Sequence, residues 1–411
     1  MSVINGLVLS PLTELKSDTF IEGYSSLSEK EKDRLIDIVL INKISAFFLS
    51  YINKNKLAYL FKNRDLRNLE LQKKRFQIQA LETIKEIKNI NKLCVDNKIQ
   101  PIFLKGAALI GKYDEIGLRS SVDIDIIFSK KDLLSGYECF IKNGFKQYRQ
   151  KPLKKNELIS YMESKHHLPP LYSISKIMIE FHHRVTKKND FKICTISENI
   201  LKHNTSLDFF GDRINVPQNT ELIIHQLVHF SINSRFKNLL RVFFDIKQIE
   251  KKNRIDWEKI YMNNKDIKIR KALSLSLEII NRHYKIGQIN SLRKNYKEFF
   301  PEKSVIDQAY EKTFSINSTA VKEEILVRLA KEKKLTNFYK TIKERLFLDN
   351  EALIQVYKIK NKKNLFYFRV KSFFQRVIRH APKIIGLYFG HGAIQDEYKK
   401  LDKIYAWIDK K

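Results

Sequence analysis

Three carboxylates lie in two short apolar segments and are the residues of this sequence best suited to chemistry. Asp123 and Asp125 alternate with isoleucines in VDIDIIF, and Glu180 stands in IMIEFHH. Side chains alternate faces along a β-strand, so the two aspartates would project from one side about 7 Å apart. Two like charges on so apolar a strand repel each other and lose hydration, and a divalent cation between them removes this conflict.

The three acids together predict a metal site for phosphate chemistry. An Asp-x-Asp pair alone is also found on solvated edge strands and in turns, and Glu180 is the residue that favours the metal site. Three acids on neighbouring strands can hold two ions about 3.5 to 4 Å apart, a geometry that stabilises the attacking and leaving oxygens of a phosphoryl or nucleotidyl displacement. Mg²⁺, or Mn²⁺ in its place, is the expected cofactor because it prefers carboxylate oxygens, water and substrate phosphate.

The segment LKGAAL precedes the acids and is a candidate phosphate cradle. Gly106 lets the backbone approach a ligand closely, the N–H groups of a starting helix face an anion, and Lys105 adds a charge. The alternative is a plain turn from strand to helix with a surface lysine. Arg119 either clamps phosphate oxygens through its fork of donors or pairs with Asp114 or Glu115 nearby.

Four histidines border the acidic segments. His166 and His167 precede PPLYS, and His182 and His183 follow Glu180. His182 shares the face of Glu180 by strand alternation, so it is the candidate for contact with phosphate or with the acceptor. An orienting or merely packed imidazole is the alternative.

Two pairs further along the chain have helical spacing. His225 and His229 stand one turn apart, a spacing able to bind a metal, but no nearby Glu or Cys completes the set. A helix that lines the cleft is therefore the favoured interpretation. Asp245 follows Arg241 by one turn of an apolar helix, which predicts an internal ion pair.

The composition favours a mostly helical protein with a basic surface. The chain has 411 residues, of which 43% are hydrophobic, and this predicts two or three packed units. The low content of 12 Gly and 8 Pro argues against a chain of short strands and turns. The formal net charge of +31 favours phosphate-bearing partners and allows nucleic acid, unless the lysines are merely solvated faces of a chain rich in Lys, Ile and Asn.

Helical regions flank the acidic segments. Ser28 with Glu31 three residues later has the spacing of a capping box, and apolar residues follow it at helical intervals. A long amphipathic helix is predicted over residues 65–97. Short apolar runs broken by turn formers indicate a compact α/β unit over residues 101–183, and helical spacing returns after Thr220.

The run LKGAALIGKYDEIGLRSSVDIDIIF, with the later NGF, the first histidine pair and IEFHHRV, resembles the uncharacterised nucleotidyltransferase family of the polymerase-beta-like superfamily. The order and spacing match over about residues 98–185, and IIHQLVHF, LLRVFFDIKQI and IDWEKI resemble the helical portion of that family. The resemblance implies a short mixed sheet that binds two Mg²⁺ ions and a nucleoside triphosphate such as ATP.

Carried over to this sequence, Asp123 and Asp125 would be ligands of both metals. Glu180 would complete the site on the side of the nucleophile and help to deprotonate the acceptor hydroxyl. The resemblance also implies that Lys105, Gly106 and Arg119 contact the triphosphate. To these we add His182, which shares the strand face of Glu180. The superfamily commonly has Gly-Ser where this chain has Gly-Ala, so the serine hydroxyl that would touch phosphate is absent.

We therefore predict an α+β protein that is predominantly helical, with a small mixed β-sheet nucleotidyltransferase core between helical regions. The expected division is an N-terminal helical region over residues 1–98, the α/β core over 99–215, a helical domain packed on the core over 216–300, and a basic helical region over 301–411.

The predicted activity is the transfer of a nucleoside monophosphate from a triphosphate to an acceptor hydroxyl or phosphate, with release of pyrophosphate. The acceptor is a small molecule, a protein or an RNA end. The alternative is a non-catalytic basic helical protein that binds nucleic acid or a protein partner and carries a degenerate core.

The sequence favours a cytoplasmic protein. Cys94, Cys139 and Cys194 are lone thiols without metal-binding spacing, the N-terminus has no basic region ahead of its apolar stretch, and no run approaches 18 uncharged apolar residues. The C-terminal stretch NLFYFRVKSFFQRVIRHAPKIIGLYF mixes aromatic and basic residues. It is typical of a helix packed on a core, of stacking on nucleic-acid bases, or of peripheral contact with an anionic membrane.

Overall fold

A computed structural model describes residues 3–147, 153, 155–186, 195–236, 240–252, 255–316, 357, 364–388 and 393–410. The chain divides into two compact units. The first takes the chain up to residue 306 together with residues 310–316, and the second takes residues 307–309 and the chain from 317 to 410. The fold is α+β and predominantly helical, with a small mixed sheet, as the sequence predicts.

Helices precede the sheet. They are α1 (Val3–Val8), α2 (Ser10–Thr13), α3 (Ser17–Ser25), α4 (Glu29–Ile41), α5 (Ser45–Lys54) and α6 (Asn63–Asp96). The long helix α6 confirms the prediction for residues 65–97, and α5 packs against it.

The start of α4 confirms the predicted capping box. The backbone N–H and the hydroxyl of Ser28 both donate to Glu31 Oε2, at 2.9 and 2.7 Å. The helix ends at Ile41 with Asn42 as its C-cap, and Lys43 then adopts a left-handed backbone with φ 57°. Because the chain turns there, the apolar pattern of this region divides into α4 and α5.

The sheet elements alternate with short helices over the middle of the chain. In order they are β1 (Ile102–Phe103), α7 (Lys105–Ile110), β2 (Asp123–Ile127), α8 (Lys130–Lys142), β3 (Lys146–Gln147), α9 (Lys155–Ser164), β4 (Leu171–Tyr172) and β5 (Met178–His182). The strand order is β1-β2-β5-β4-β3, and β2 and β5 are parallel while the other neighbours are antiparallel.

One face of the sheet is an aromatic core. Phe181 of β5 stacks on Phe128 at 5.3 Å between ring centroids and meets Phe140 of α8 edge-on at 4.7 Å. Ile124 and Ile126 of β2 are fully buried. Burial of these side chains stabilises the strand pair and fixes which residues point to the opposite face.

A hairpin and a series of helices complete the described chain. They are α10 (Ile196–Lys202), β6 (Asn204–Phe209), β7 (Asp212–Pro217), α11 (Asn219–Val228), α12 (Arg241–Lys252), α13 (Trp257–Asn263), α14 (Ile267–Asn281), α15 (Ile289–Asn295), α16 (Lys303–Thr313), α17 (Leu365–Tyr388) and α18 (Ala393–Asp409). A π-helical turn, His229–Asn233, continues α11.

The two helices α17 and α18 pack against each other within the second unit. α17 exposes Phe366, Phe374 and Ile378. Among the helices that the structure describes, none combines the length and the apolar character needed to cross a membrane.

Candidate active site

The parallel pairing of β2 with β5 positions the acidic residues. The register places Asp125 beside Glu180 and Ile127 beside His182. Since Phe181 is buried in the aromatic core, Glu180 and His182 on either side of it must face the other way, as Asp125 does between two buried isoleucines. Two acids 55 positions apart in the chain thus become neighbours on one sheet face.

Asp125 is the centre of the site. Its side chain is 1% exposed, the Lys105 ammonium donates to its Oδ1 at 2.7 Å, and His182 Nε2 lies 2.8 Å from the same oxygen. Burial opposes the charge on this carboxyl, but the Lys105 charge and the His182 hydrogen bond hold its pKa well below the usual range. Asp125 is therefore an anion that the Lys105 ammonium and the His182 imidazole hold in place.

Glu180 and His182 complete a compact set of donor atoms. Glu180 Oε2 lies 3.3 Å from His182 Nε2. Burial disfavours the charge on both groups, but their mutual hydrogen bond lowers the pKa of Glu180 and, with that to Asp125, raises the pKa of His182. One ligand atom from each of Asp125, Glu180 and His182 lies within 4.8 Å of the others, the one such group of three found among the described residues.

Asp123 lies at the edge of this set. It precedes Asp125 by two residues on the same strand face, and the hydroxyl of Ser121 donates to its Oδ1 at 3.3 Å. Burial and the neighbouring charge of Asp125 raise the pKa of Asp123. Among the residues described, no cationic side chain forms an ion pair with Asp123, so a cation beside it would be stabilised.

The donor set fits a divalent cation. Two or three carboxylates and one imidazole offer the oxygen and nitrogen atoms that Mg²⁺, Mn²⁺ and similar ions take in proteins. The present partners of these atoms are a lysine and a histidine, both of which can be displaced from a carboxylate oxygen that has further lone pairs.

Gly106 and Lys105 have a structural reason for their positions. A Cβ at Gly106 would lie 2.2 Å from Ser121 Oγ and 2.6 Å from Ser121 Cβ, so only glycine lets α7 pack against this serine. Lys105 has φ 45°, a left-handed conformation that costs a non-glycine residue about 1 to 2 kcal/mol. That backbone sends the lysine side chain to Asp125 while α7 continues behind it.

Arg119 lies in a buried network with Asp245. Its Nε donates to Asp245 Oδ1 at 3.0 Å and its Nη1 donates to the Ser120 carbonyl at 2.8 Å. Tyr113 donates its hydroxyl to the same Asp245 oxygen at 2.8 Å. Of the two acids suggested by sequence proximity, Glu115 pairs with Lys73. Asp245, on α12, is the acid that Arg119 contacts.

The first histidine pair packs against His182. The ring centroids of His166 and His167 lie 5.6 and 5.5 Å from that of His182. His167 Nδ1 is 2.7 Å from the carbonyl of Leu168, while His183 Nε2 is 2.9 Å from the carbonyl of Lys165. Three imidazoles therefore meet at one end of the acidic set, and His183 faces away from it.

His225 and His229 lie on the helix that packs against α7. His225 is 1% exposed, and neither of its ring nitrogens has a hydrogen-bond partner among the described residues. Burial and the charge of Lys105 lower the pKa of His225 well below its usual value and that of His229 to about 3. Both rings are thus neutral close to Lys105, and the helix that carries them packs against α7.

The fold brings to this region three residues that the sequence did not assign to the site, although it predicted an ion pair of Arg241 with Asp245. They are Ser121, which contacts Asp123; Arg241, whose Nη1 donates to the Ser120 carbonyl at 3.4 Å; and Lys43. Burial and the charge of Arg241 lower the pKa of Lys43, and Asp123 acts on it in the opposite direction. Ser121 was identifiable from its place beside the acidic strand, whereas no local pattern distinguishes Lys43 from other lysines.

Comparison with known proteins identifies the family of this chain. Residues 28–285 match the model of a family described as uncharacterised nucleotidyltransferase. No curated protein and no solved structure matches the chain. The matched range contains the sheet, the acidic set and the helices that carry His225 and Arg241.

Proposed function

Because the chain belongs to the uncharacterised nucleotidyltransferase family, whose model covers more than half of it, we propose that it transfers a nucleoside monophosphate from a nucleoside triphosphate to an acceptor. The acceptor offers a hydroxyl or a phosphate, and pyrophosphate is released. The acidic residues of this reaction are Asp123, Asp125 and Glu180.

One observation carries the proposal. Asp125 and Glu180 come from distant parts of the chain, yet the parallel register places them side by side with His182 in a set of donor atoms within 4.8 Å. Burying acids together is unfavourable in a protein without a use for them, because each loses hydration and repels the other. A site that binds cations and phosphate gives this arrangement a purpose.

The carboxylates of Asp123, Asp125 and Glu180 would hold Mg²⁺ or Mn²⁺, and two ions are expected. A bound ion neutralises charge on the phosphate oxygens and lowers the pKa of an acceptor hydroxyl. The Lys105 ammonium contacts Asp125. It is therefore close enough to the acids to remain beside the phosphates once the carboxylates bind metal. Lys105 therefore balances charge in both states.

The reaction exchanges one phosphorus–oxygen bond for another at the α-phosphorus. The acceptor oxygen forms a bond to the α-phosphorus, and the bond from that phosphorus to the oxygen bridging to the β-phosphate breaks. Pyrophosphate leaves with the electron pair of the broken bond. The proton of an acceptor hydroxyl passes to a carboxylate, for which Glu180 is our candidate because it is partly exposed at the rim of the set.

Four residues are proposed to position the nucleotide. Lys105 and Arg119 supply positive charge, and His182 supplies an imidazole that contacts both acids. Gly106 contributes because it has no side chain and so lets α7 lie against Ser121. Ser121 in turn donates a hydrogen bond to Asp123.

The test is transfer of label. Purified protein is incubated with each α-labelled triphosphate, Mg²⁺ or Mn²⁺ and cell extract, and the labelled product is then isolated. We expect label on one class of acceptor with the wild type and none with Asp123→Asn. The matched control is Asp37→Asn, which changes an exposed aspartate of α4 and should transfer as the wild type does. Absence of transfer from every triphosphate would contradict the proposal and favour a degenerate core.

A further inference from the structure

Two arginines meet at one carbonyl beside the acidic strand. Arg119 Nη1 and Arg241 Nη1 both donate to the Ser120 carbonyl oxygen, at 2.8 and 3.4 Å. Arg119 is 5% exposed and Arg241 is half-buried, so the two guanidinium groups lie largely inside the protein. Asp245 is fully buried at the same place and pairs with Arg119.

The charges of Asp245 and Asp123 act on Arg241, but the hydrogen-bonding capacity on the Arg241 side of this group is not fully used. Arg241 Nε and Asp245 Oδ2 are buried, and neither has a hydrogen-bond partner among the residues that the structure describes. Burial and the charge of Arg119 lower the pKa of Arg241 to about 9. A buried guanidinium next to another is unfavourable unless an anion binds it, and a guanidinium is well suited to two oxygens of one phosphate.

A third cation lies beside the arginines. Asn42 Oδ1 accepts the backbone N–H of Leu240 at 3.2 Å, which ties the end of α4 to the residue before Arg241. Lys43 follows Asn42, is half-buried, and has a left-handed backbone at φ 57°. The charges that act on its ammonium are those of Arg241, Asp123 and Arg119. Lys43 therefore belongs to the same cluster, on the side of Asp123.

We propose that Arg241 and Lys43, supported by Arg119, form a binding site for the phosphate groups of a ligand next to Asp123. The inference rests on the proposed function for the identity of that ligand, which is either the nucleoside triphosphate or a phosphorylated acceptor. Arg241 Nε and the Lys43 ammonium bind phosphate oxygens. Arg119 holds the Ser120 carbonyl and Asp245 in place behind them.

The site is tested with inorganic pyrophosphate and the full-length protein, in buffer containing Mg²⁺ and at fixed ionic strength. Calorimetric titration gives the dissociation constant, and thermal unfolding reports folding of each variant. We expect Arg241→Gln and Lys43→Gln each to raise the dissociation constant on the order of ten-fold or more, the loss of one charge-assisted hydrogen bond. Exposed residues of α4 and α6 give the matched controls Lys30→Gln and Arg67→Gln, which should bind as the wild type does.

A conservative variant separates phosphate binding from folding. Arg241→Lys keeps the charge and loses the fork, so it should fold and bind pyrophosphate with an affinity between those of the wild type and Arg241→Gln. Equal binding by the wild type, Arg241→Lys and Lys43→Gln would overturn the inference, as would a wild type that binds neither pyrophosphate nor any triphosphate.

The same variants identify the source of the phosphate. If their dissociation constants for a triphosphate rise in parallel with those for pyrophosphate, the site holds the triphosphate; if only pyrophosphate binding falls, the site serves a phosphorylated acceptor. Pyrophosphate binding requires no turnover. Loss of label transfer with intact, Arg241-dependent binding would therefore contradict the proposed function and leave this site standing.

Discussion

Replacing Gly106 by alanine tests whether the contact between α7 and Ser121 holds the acidic strand in place. In a helix the change from glycine to alanine normally stabilises by about 1 kcal/mol. Here the new Cβ would lie 2.2 Å from Ser121 Oγ and 2.6 Å from Ser121 Cβ, whereas carbon atoms rest about 3.5 to 4.0 Å apart. The sign of the effect therefore depends on this one contact.

We expect Gly106→Ala to lower the free energy of unfolding by about 1 to 3 kcal/mol, the usual cost of overpacking a closed site. Urea titration followed by fluorescence measures it. The control is Gly6→Ala in α1, where a Cβ meets nothing within 4 Å and a small gain is expected. Activity should fall with Gly106→Ala as well, because Ser121 also contacts Asp123.

A second substitution tests whether the Ser121 side chain causes the loss of stability in Gly106→Ala. Ser121→Gly removes both atoms that the new Cβ would meet and leaves Ser121 Cα at 3.6 Å, an ordinary contact. In a double-mutant cycle the two substitutions should therefore show a favourable coupling of about 1 kcal/mol or more. A stabilising effect of Gly106→Ala alone, or no coupling with Ser121→Gly, would refute the reasoning.

Three further predictions concern charge and capping. Asp123→Asn should reduce transfer by at least about 100-fold, yet leave metal-free stability at neutral pH equal or higher, because burial and Asp125 raise the pKa of Asp123 and penalise its ionised form. His182→Gln should cost most stability below the unfolded pKa of 6.5, and this cost should disappear as pH rises through the raised folded pKa, as urea titrations in EDTA at several pH values can show. A cost that grows with pH would contradict that sign. Ser28→Ala should lower the free energy of unfolding by about 1 kcal/mol without changing transfer, and an unchanged melting temperature would count against the capping box.

Local patterns predicted the elements that carry the acids. Alternation in VDIDIIF and IMIEFHH was sufficient to predict β2, β5 and the faces of their side chains, because period 2 follows directly from strand geometry. The start of α4 was predicted from the capping box at Ser28, and α6 was predicted from its continuous helical spacing. In each case the signal lies within a few residues, so no tertiary information was needed.

Partners that come from distant segments were not predictable. The nearest acids in the sequence suggested a local pair for Arg119, but its carboxylate partner Asp245 lies on α12. Lys43 reaches the site only because Asn42 binds the backbone before α12. Such contacts depend on how helices pack, which hydrophobic periodicity does not specify.

The pairing of β2 with β5 makes the site sensitive to small changes in one place and tolerant of larger ones elsewhere. Extra residues at the turn of Gly144, which has φ 87°, would lengthen the connection between β2 and β5. They would not change the register in which the two strands pair. Removing one residue directly before Glu180 would rotate its carboxylate toward the aromatic layer and separate it from Asp125. Length variation among natural relatives should accordingly concentrate in the crossover and avoid the two paired strands.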